Sequence, residues 1–77
     1  MDLISIVAEV LDVPPGSLSE NSGPESVAPW TSLAHISLML AIEERLDVHF
    51  TMDEMAGARS IAQIREALQQ KGVTERT

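Results

Sequence analysis

The sequence predicts an all-α fold: a small four-helix bundle with three main helices, one short third helix and a long loop between helices one and two. Three observations carry this expectation. Apolar residues recur at three- and four-residue intervals in separate stretches. Helix-opening cap signatures precede those stretches. No run alternates convincingly with a period of two, so strands find no support.

The first helix spans Asp2 to Leu11. Leu3, Ile6, Val7 and Val10 fall on one stripe, which Ile4 and Leu11 widen, and Asp2 is placed to cap its start. Asp12-Val13-Pro14-Pro15-Gly16 ends it, because proline cannot continue the hydrogen-bond ladder. A connection from Val13 to Trp30 follows. Ser17-Leu18-Ser19-Glu20 reads as a capping box good for about one helical turn. Leu18 and Val27 are expected to pin this loop to the bundle. Gly23-Pro24 and Ala28-Pro29 mark turns.

The second helix runs from about Ser32 to Leu46. At about 100° per residue, one arc holds Ala34, Leu38, Met39, Ala41, Ile42 and Leu46, with His35 at its border; this is the expected core face. The opposite arc holds Ser32, Ser37, Glu43, Glu44 and Asp47 together with Leu33, Ile36 and Leu40. Large apolar side chains among serines and acids on the solvent side suggest a partner surface, with Leu33 expected to be partly covered by its neighbours. Thr51-Met52-Asp53-Glu54 is a capping box for the short third helix, Phe50 and Met55 suit a hydrophobic staple, and Gly57 ends it. Ser60-Ile61-Ala62-Gln63 opens the last helix as another capping box. Ile61, Ile64 and Leu68 form its stripe, Lys71 and Gly72 suit its end, and residues 73–77 read as a frayed tail. The four methionines read as core fillers.

Seventy-seven residues suit a single domain over 1–77, burying only about 60% of its unfolded surface. There are no cysteines, which removes disulfides and thiolate metal sites. Asp2 stands where a secretory leader would carry Lys or Arg, so a cytoplasmic setting is expected. The run Leu33 to Ile42 is about half the length a bilayer requires, so no membrane insertion is expected. Five basic against twelve acidic residues give a formal charge of −7. Such a surface repels phosphate backbones, which argues against nucleic acid, and suits basic patches on other proteins. A monomer is expected.

Trp30-Thr31-Ser32-Leu33-Ala34-His35 joins the long loop to the second helix. Ser32 there lies on the first turn, where backbone N–H groups lack intrahelical partners and anions are favoured. Two readings stand from the residues alone: Thr31 or Ser32 as an N-cap, or Ser32 as the covalent attachment point of a phosphate-linked cofactor. A hydrolytic triad is not supported. No Gly-x-Ser-x-Gly elbow is present, and His35 with Ser32 does not complete a triad. His35 and His49 lack further ligands at metal-binding spacing. No catalytic and no metal residues are assigned. Trp30 reads as a loop anchor, and His35 as packing at the helix edge within approach of a phosphate on Ser32.

Trp30-Thr31-Ser32-Leu33-Ala34-His35-Ile36, followed by Leu40-Ala41-Ile42-Glu43-Glu44-Arg45-Leu46, resembles the acyl carrier protein family. The likeness extends over essentially the whole chain in helix order, length and acidity. The Trp before the motif and the His after it are more similar to discrete carriers of polyketide or secondary-metabolite pathways, with the fatty-acid type left open. The resemblance implies that Ser32 receives a 4′-phosphopantetheine arm from coenzyme A through a phosphopantetheinyl transferase. The arm then holds acyl groups as thioesters for acyl-loading and acyl-processing enzymes with basic docking patches, and the domain itself is not an enzyme. It implies that Thr31, Leu33 and His35 flank the attachment site, and that Leu33, Ile36, Leu40, Glu43 and Glu44 form the gripped surface. One departure stands out. Thr31 occupies the position where the family usually has an Asp that helps hold Mg²⁺ during arm transfer, and a threonine hydroxyl is a poor magnesium ligand. An unmodified helical adaptor of the same fold is therefore the alternative. Ala34 and Ser37 stand where acids are common in the family.

Overall fold

A computed structural model describes residues 2–73. Helices α1 (Leu3–Leu11), α2 (Ser32–Leu46), α3 (Met52–Gly57) and α4 (Ile61–Gln70) follow one another, with one 3₁₀ turn at Pro15–Ser17, and no strand occurs among the described residues. Helix α1 packs against both α2 and α4. Leu3, Ile6 and Val7 of α1, Leu38, Met39 and Ile42 of α2, and Ile61 and Ile64 of α4 are completely buried together. Each face follows from its three-and-four spacing.

Every helix starts on an accepting side chain at its cap, which satisfies one of the orphan N–H groups of the first turn. Asp2 accepts from Ser5 N at 2.7 Å, Thr31 from Ala34 N at 3.1 Å, Thr51 from Glu54 N at 3.1 Å and Ser60 from Gln63 N at 3.1 Å. At Thr51 the box is reciprocal, with Glu54 accepting from Thr51 N. At Ser60 it is not: the Gln63 side chain accepts from Arg59 N at 2.8 Å instead, one residue further back. Helix α3 runs through Gly57 and is closed by Ala58, whose N–H reaches Glu54 O.

The end of α4 is a Schellman motif. Gly72 takes φ +77°, its N–H donates to Gln69 O, and Val73 N donates to Leu68 O. Val73 packs against the core, so it does not belong to a frayed tail; residues 74–77 lie outside the described residues.

The loop from 13 to 31 departs from expectation in one place. Ser17-Leu18-Ser19-Glu20 opens no helical turn. The turn lies three residues earlier, at Pro15–Ser17, and the Ser17 hydroxyl donates back to Pro14 O at 2.7 Å. Glu20 is drawn away by a stronger partner: Nε and Nη2 of Arg65 on α4 grip its two carboxylate oxygens, both at 2.9 Å. Nearby, buried Ser22 accepts from Ser19 N through its hydroxyl. Leu18 and Trp30 are buried and Val27 is partly buried against the core, as the sequence led one to expect.

Two backbone bonds stitch this loop to the start of α4: Ile61 N to Ser22 O and Ala62 N to Glu20 O. The contact is closest at Gly23, where a Cβ would overlap the Arg59 carbonyl. Only glycine permits that approach of two backbones.

Gly23→Ala is expected to lower stability by about 1–3 kcal/mol, read from the urea midpoint. Gly16→Ala, with nothing near its Cβ position, is expected to stay within about 0.5 kcal/mol. The acid limb of stability has an assignable cause. The Lys71 ammonium, and then the Thr51 N–H, hold the Glu54 carboxyl below its ordinary value of 4.5. The folded state therefore binds this proton less readily than the unfolded chain. The stabilisation is full above about pH 4.5 and fades as pH falls through the lowered value. Glu54→Gln is expected to flatten the fall of melting temperature below pH 4.5.

Candidate functional site

Thr31 takes the cap of α2, and this settles what Ser32 is free to do. Thr31 has extended backbone, and its hydroxyl is committed to Ala34 N–H. Ser32 becomes the first residue of the helix itself. It is exposed, and its hydroxyl makes no hydrogen bond with any described residue. The first turn of α2 contains no acidic side chain, so nothing there competes for the positive end of the helix dipole.

Behind Ser32 stands a relay of three elements. Trp30 is 1% exposed, and its indole N–H donates to His35 Nδ1 at 2.9 Å. An indole nitrogen is a donor only, so Nδ1 carries no proton and Nε2 does. Nε2 donates to Met55 O on α3 at 2.7 Å. Loop, α2 and α3 are thus locked through one imidazole. Both ring nitrogens are occupied: His35 packs at the edge of the helix, and its ring borders the space beside Ser32.

That space is a hollow of about 240 Å³ lined by Pro24, Ser32, His35, Ile36, Ala56 and Arg59. A second hollow of about 270 Å³, almost wholly apolar, shares His35, Ile36 and Ala56 and adds Met52 and Met55. Together they form a trough between α2 and α3 that starts at Ser32. Arg59 and Met52 belong to this region and were not singled out by the sequence. Met52 falls at the start of a six-residue helix too short to show a stripe. Arg59 follows the end of that helix, and only the stitched loops bring it to Ser32.

The outer face of α2 carries Leu33, Ile36 and Leu40, which are 75%, 53% and 52% exposed. Leu33 is the most exposed of the three rather than partly covered. Met52, at 84%, extends the apolar surface onto α3. It is no core filler, unlike fully buried Met39; Met55 is partly buried, and Met1 lies outside the described residues. Glu44 is exposed beside this face. Glu43 departs from it: its side chain is only 14% exposed and accepts from Phe50 N at 2.7 Å, closing the turn after α2. A free backbone N–H on the buried side draws the carboxylate inward.

Ser32 thus presents an exposed, unengaged alcohol at a helix N-terminus, opening onto a trough between two helices. The profile of the family described as "phosphopantetheine attachment site" matches residues 2–68. The chain belongs to that family, whose members carry a covalently attached 4′-phosphopantetheine group and act as carriers rather than enzymes. Such carriers interact in general with phosphopantetheinyl transferases and acyl-processing enzymes. Comparison with individually curated proteins finds no match. No helix among the described residues is long and apolar enough to cross a membrane.

Ile36→Glu and Leu40→Glu are expected to leave thermal stability within about 0.5 kcal/mol of the parent, because both side chains already face water. Ile42→Glu, which buries an unpaired charge, is expected to abolish folding. Circular dichroism melts read both results.

Proposed function

We propose that residues 1–77 form an acyl carrier domain, with Ser32 the residue that takes the 4′-phosphopantetheine arm. The observation that carries this reading is the division of labour at the start of α2. Thr31 satisfies the helix cap, so the Ser32 hydroxyl is left unengaged in solvent. The N–H groups of the first turn favour the negative charge of a phosphodiester, and no neighbouring carboxylate opposes it. When bound, the arm supplies a terminal thiol that holds cargo as a thioester. The apolar hollow beside Ile36 and Met55 suits an acyl cargo close to the tether.

Leu33, Ile36 and Leu40, rimmed by Glu44, form the surface that loading and processing enzymes with basic patches would grip. Met52 extends it, and Glu43 contributes to the turn behind it. Thr31 favours a second reading, an unmodified adaptor using the same surface, because its committed hydroxyl offers no carboxylate to a magnesium ion beside Ser32. The cargo expected is of polyketide or fatty-acid type, and the setting cytoplasmic.

Incubation with coenzyme A, Mg²⁺ and a broad-specificity transferase is expected to add the mass of one phosphopantetheinyl group. Ser32→Ala should gain none, and Thr31→Asp should be modified faster than the parent. An unchanged mass with several transferases, while an Asp-containing relative is modified, would leave the adaptor reading in possession.

A further inference from the structure

The chain is acidic, and its cations are almost all spoken for. Among the described residues, Arg45 pairs with Glu9 at 2.6 Å, Arg65 with Glu20 at 2.9 Å and Lys71 with Glu54 at 2.8 Å. Arg59 is the remaining one. Its side chain is in no ion pair and no side-chain hydrogen bond, and it lines the same hollow as Ser32. An unpaired guanidinium in a protein of charge −7 has abundant carboxylates within the fold to choose from. Arg59 is instead exposed at the border of the Ser32 hollow.

That placement is built by backbone. Arg59 N donates to Gln63 Oε1 and to Gly57 O, and its carbonyl sits against Gly23. Ser22 and Glu20 stitch the same two loops together on the next residues. The main chain of Arg59 therefore carries the structural work, and the side chain is left for something else. Pro24, next to Gly23, also lines the hollow.

We infer that Arg59 is a phosphate-positioning residue: its guanidinium contacts the phosphodiester on Ser32 and holds the root of the arm toward the α2–α3 trough. The inference rests on the assignment of Ser32 above. Guanidinium presents a planar fork of N–H donors that matches two phosphate oxygens, which an ammonium does not. The N–H groups of the first turn of α2 supply the other side of the cradle. Nearby charge is light. Ile36 and Ala56 are apolar, and the His35 ring is tied to Trp30 and Met55.

The test uses the arm-bearing protein and phosphorus NMR. In the parent, the phosphodiester resonance is expected to move with added salt as the contact is screened. In Arg59→Gln it should be displaced from the parent at low salt and insensitive to salt, with Arg59→Lys between the two. Amide resonances of α1 and α4 should be unchanged in both variants, which separates a local contact from a change of fold. A chain that gains the arm on Ser32 yet shows the same phosphorus resonance and salt response in the parent and Arg59→Gln overturns the inference and leaves the carrier assignment standing. A chain that never gains the arm overturns both.

Discussion

One imidazole organises the functional end of this molecule. His35 accepts from the buried indole of Trp30 and donates to a carbonyl of α3, so the long loop, α2 and α3 meet at a single ring. Without it α3, a helix of six residues, would have little to hold it against α2. Short helices draw most of their stability from tertiary contacts rather than from propensity. The trough beside Ser32 exists because these three elements are held at fixed separation. A polar group withdrawn from water is costly unless its hydrogen bonds are met, and both ring nitrogens of half-buried His35 are met.

The loops are held by a second set of bonds at right angles in sequence to the first. Glu20 and Ser22 pair with the opening of α4, the Arg65 fork locks Glu20, and Gly23 lets the backbone of Arg59 come close. A connection of this length without such ties would be expected to wander. The consequence reaches the site, because Pro24 and Arg59 both line the hollow that Ser32 opens into. The chemistry of the site is thus passive. A cap residue frees a hydroxyl, a helix end favours an anion, and stitched loops shape the space next to it.

The same economy appears on the outer face of α2. Three large apolar residues are left in water on a protein small enough that every buried side chain counts. An isolated exposed leucine is ordinary, but a row along one helix continued by Met52 is a patch with a direction. It runs along α2 from the end where Ser32 lies, so a partner seated on it would also lie beside that serine.

Much of this was legible in the residues. Helical periodicity, cap signatures and proline placement located α1, α2, α3 and α4, and the bounds of α2 matched to the residue. These are local properties, written in neighbours three and four positions apart. The core stripe of α2 and the exposure of Ile36 and Leu40 followed from the same wheel. What tertiary structure alone decided were choices between competing partners. Glu20 lies three residues beyond Ser17, yet it pairs with Arg65 because a bidentate charged bond is stronger than a cap. Glu43 sits on the solvent arc, yet it turns to the free N–H of Phe50. Gln63 caps Arg59 in place of Ser60, and His35 reaches Met55, 20 residues further along the chain. Arg59 becomes part of the site only when two loops distant in sequence are drawn together. Periodicity tells which way a side chain leaves its helix; it cannot tell which of several acceptors, separated by tens of residues, the fold will bring within 3 Å.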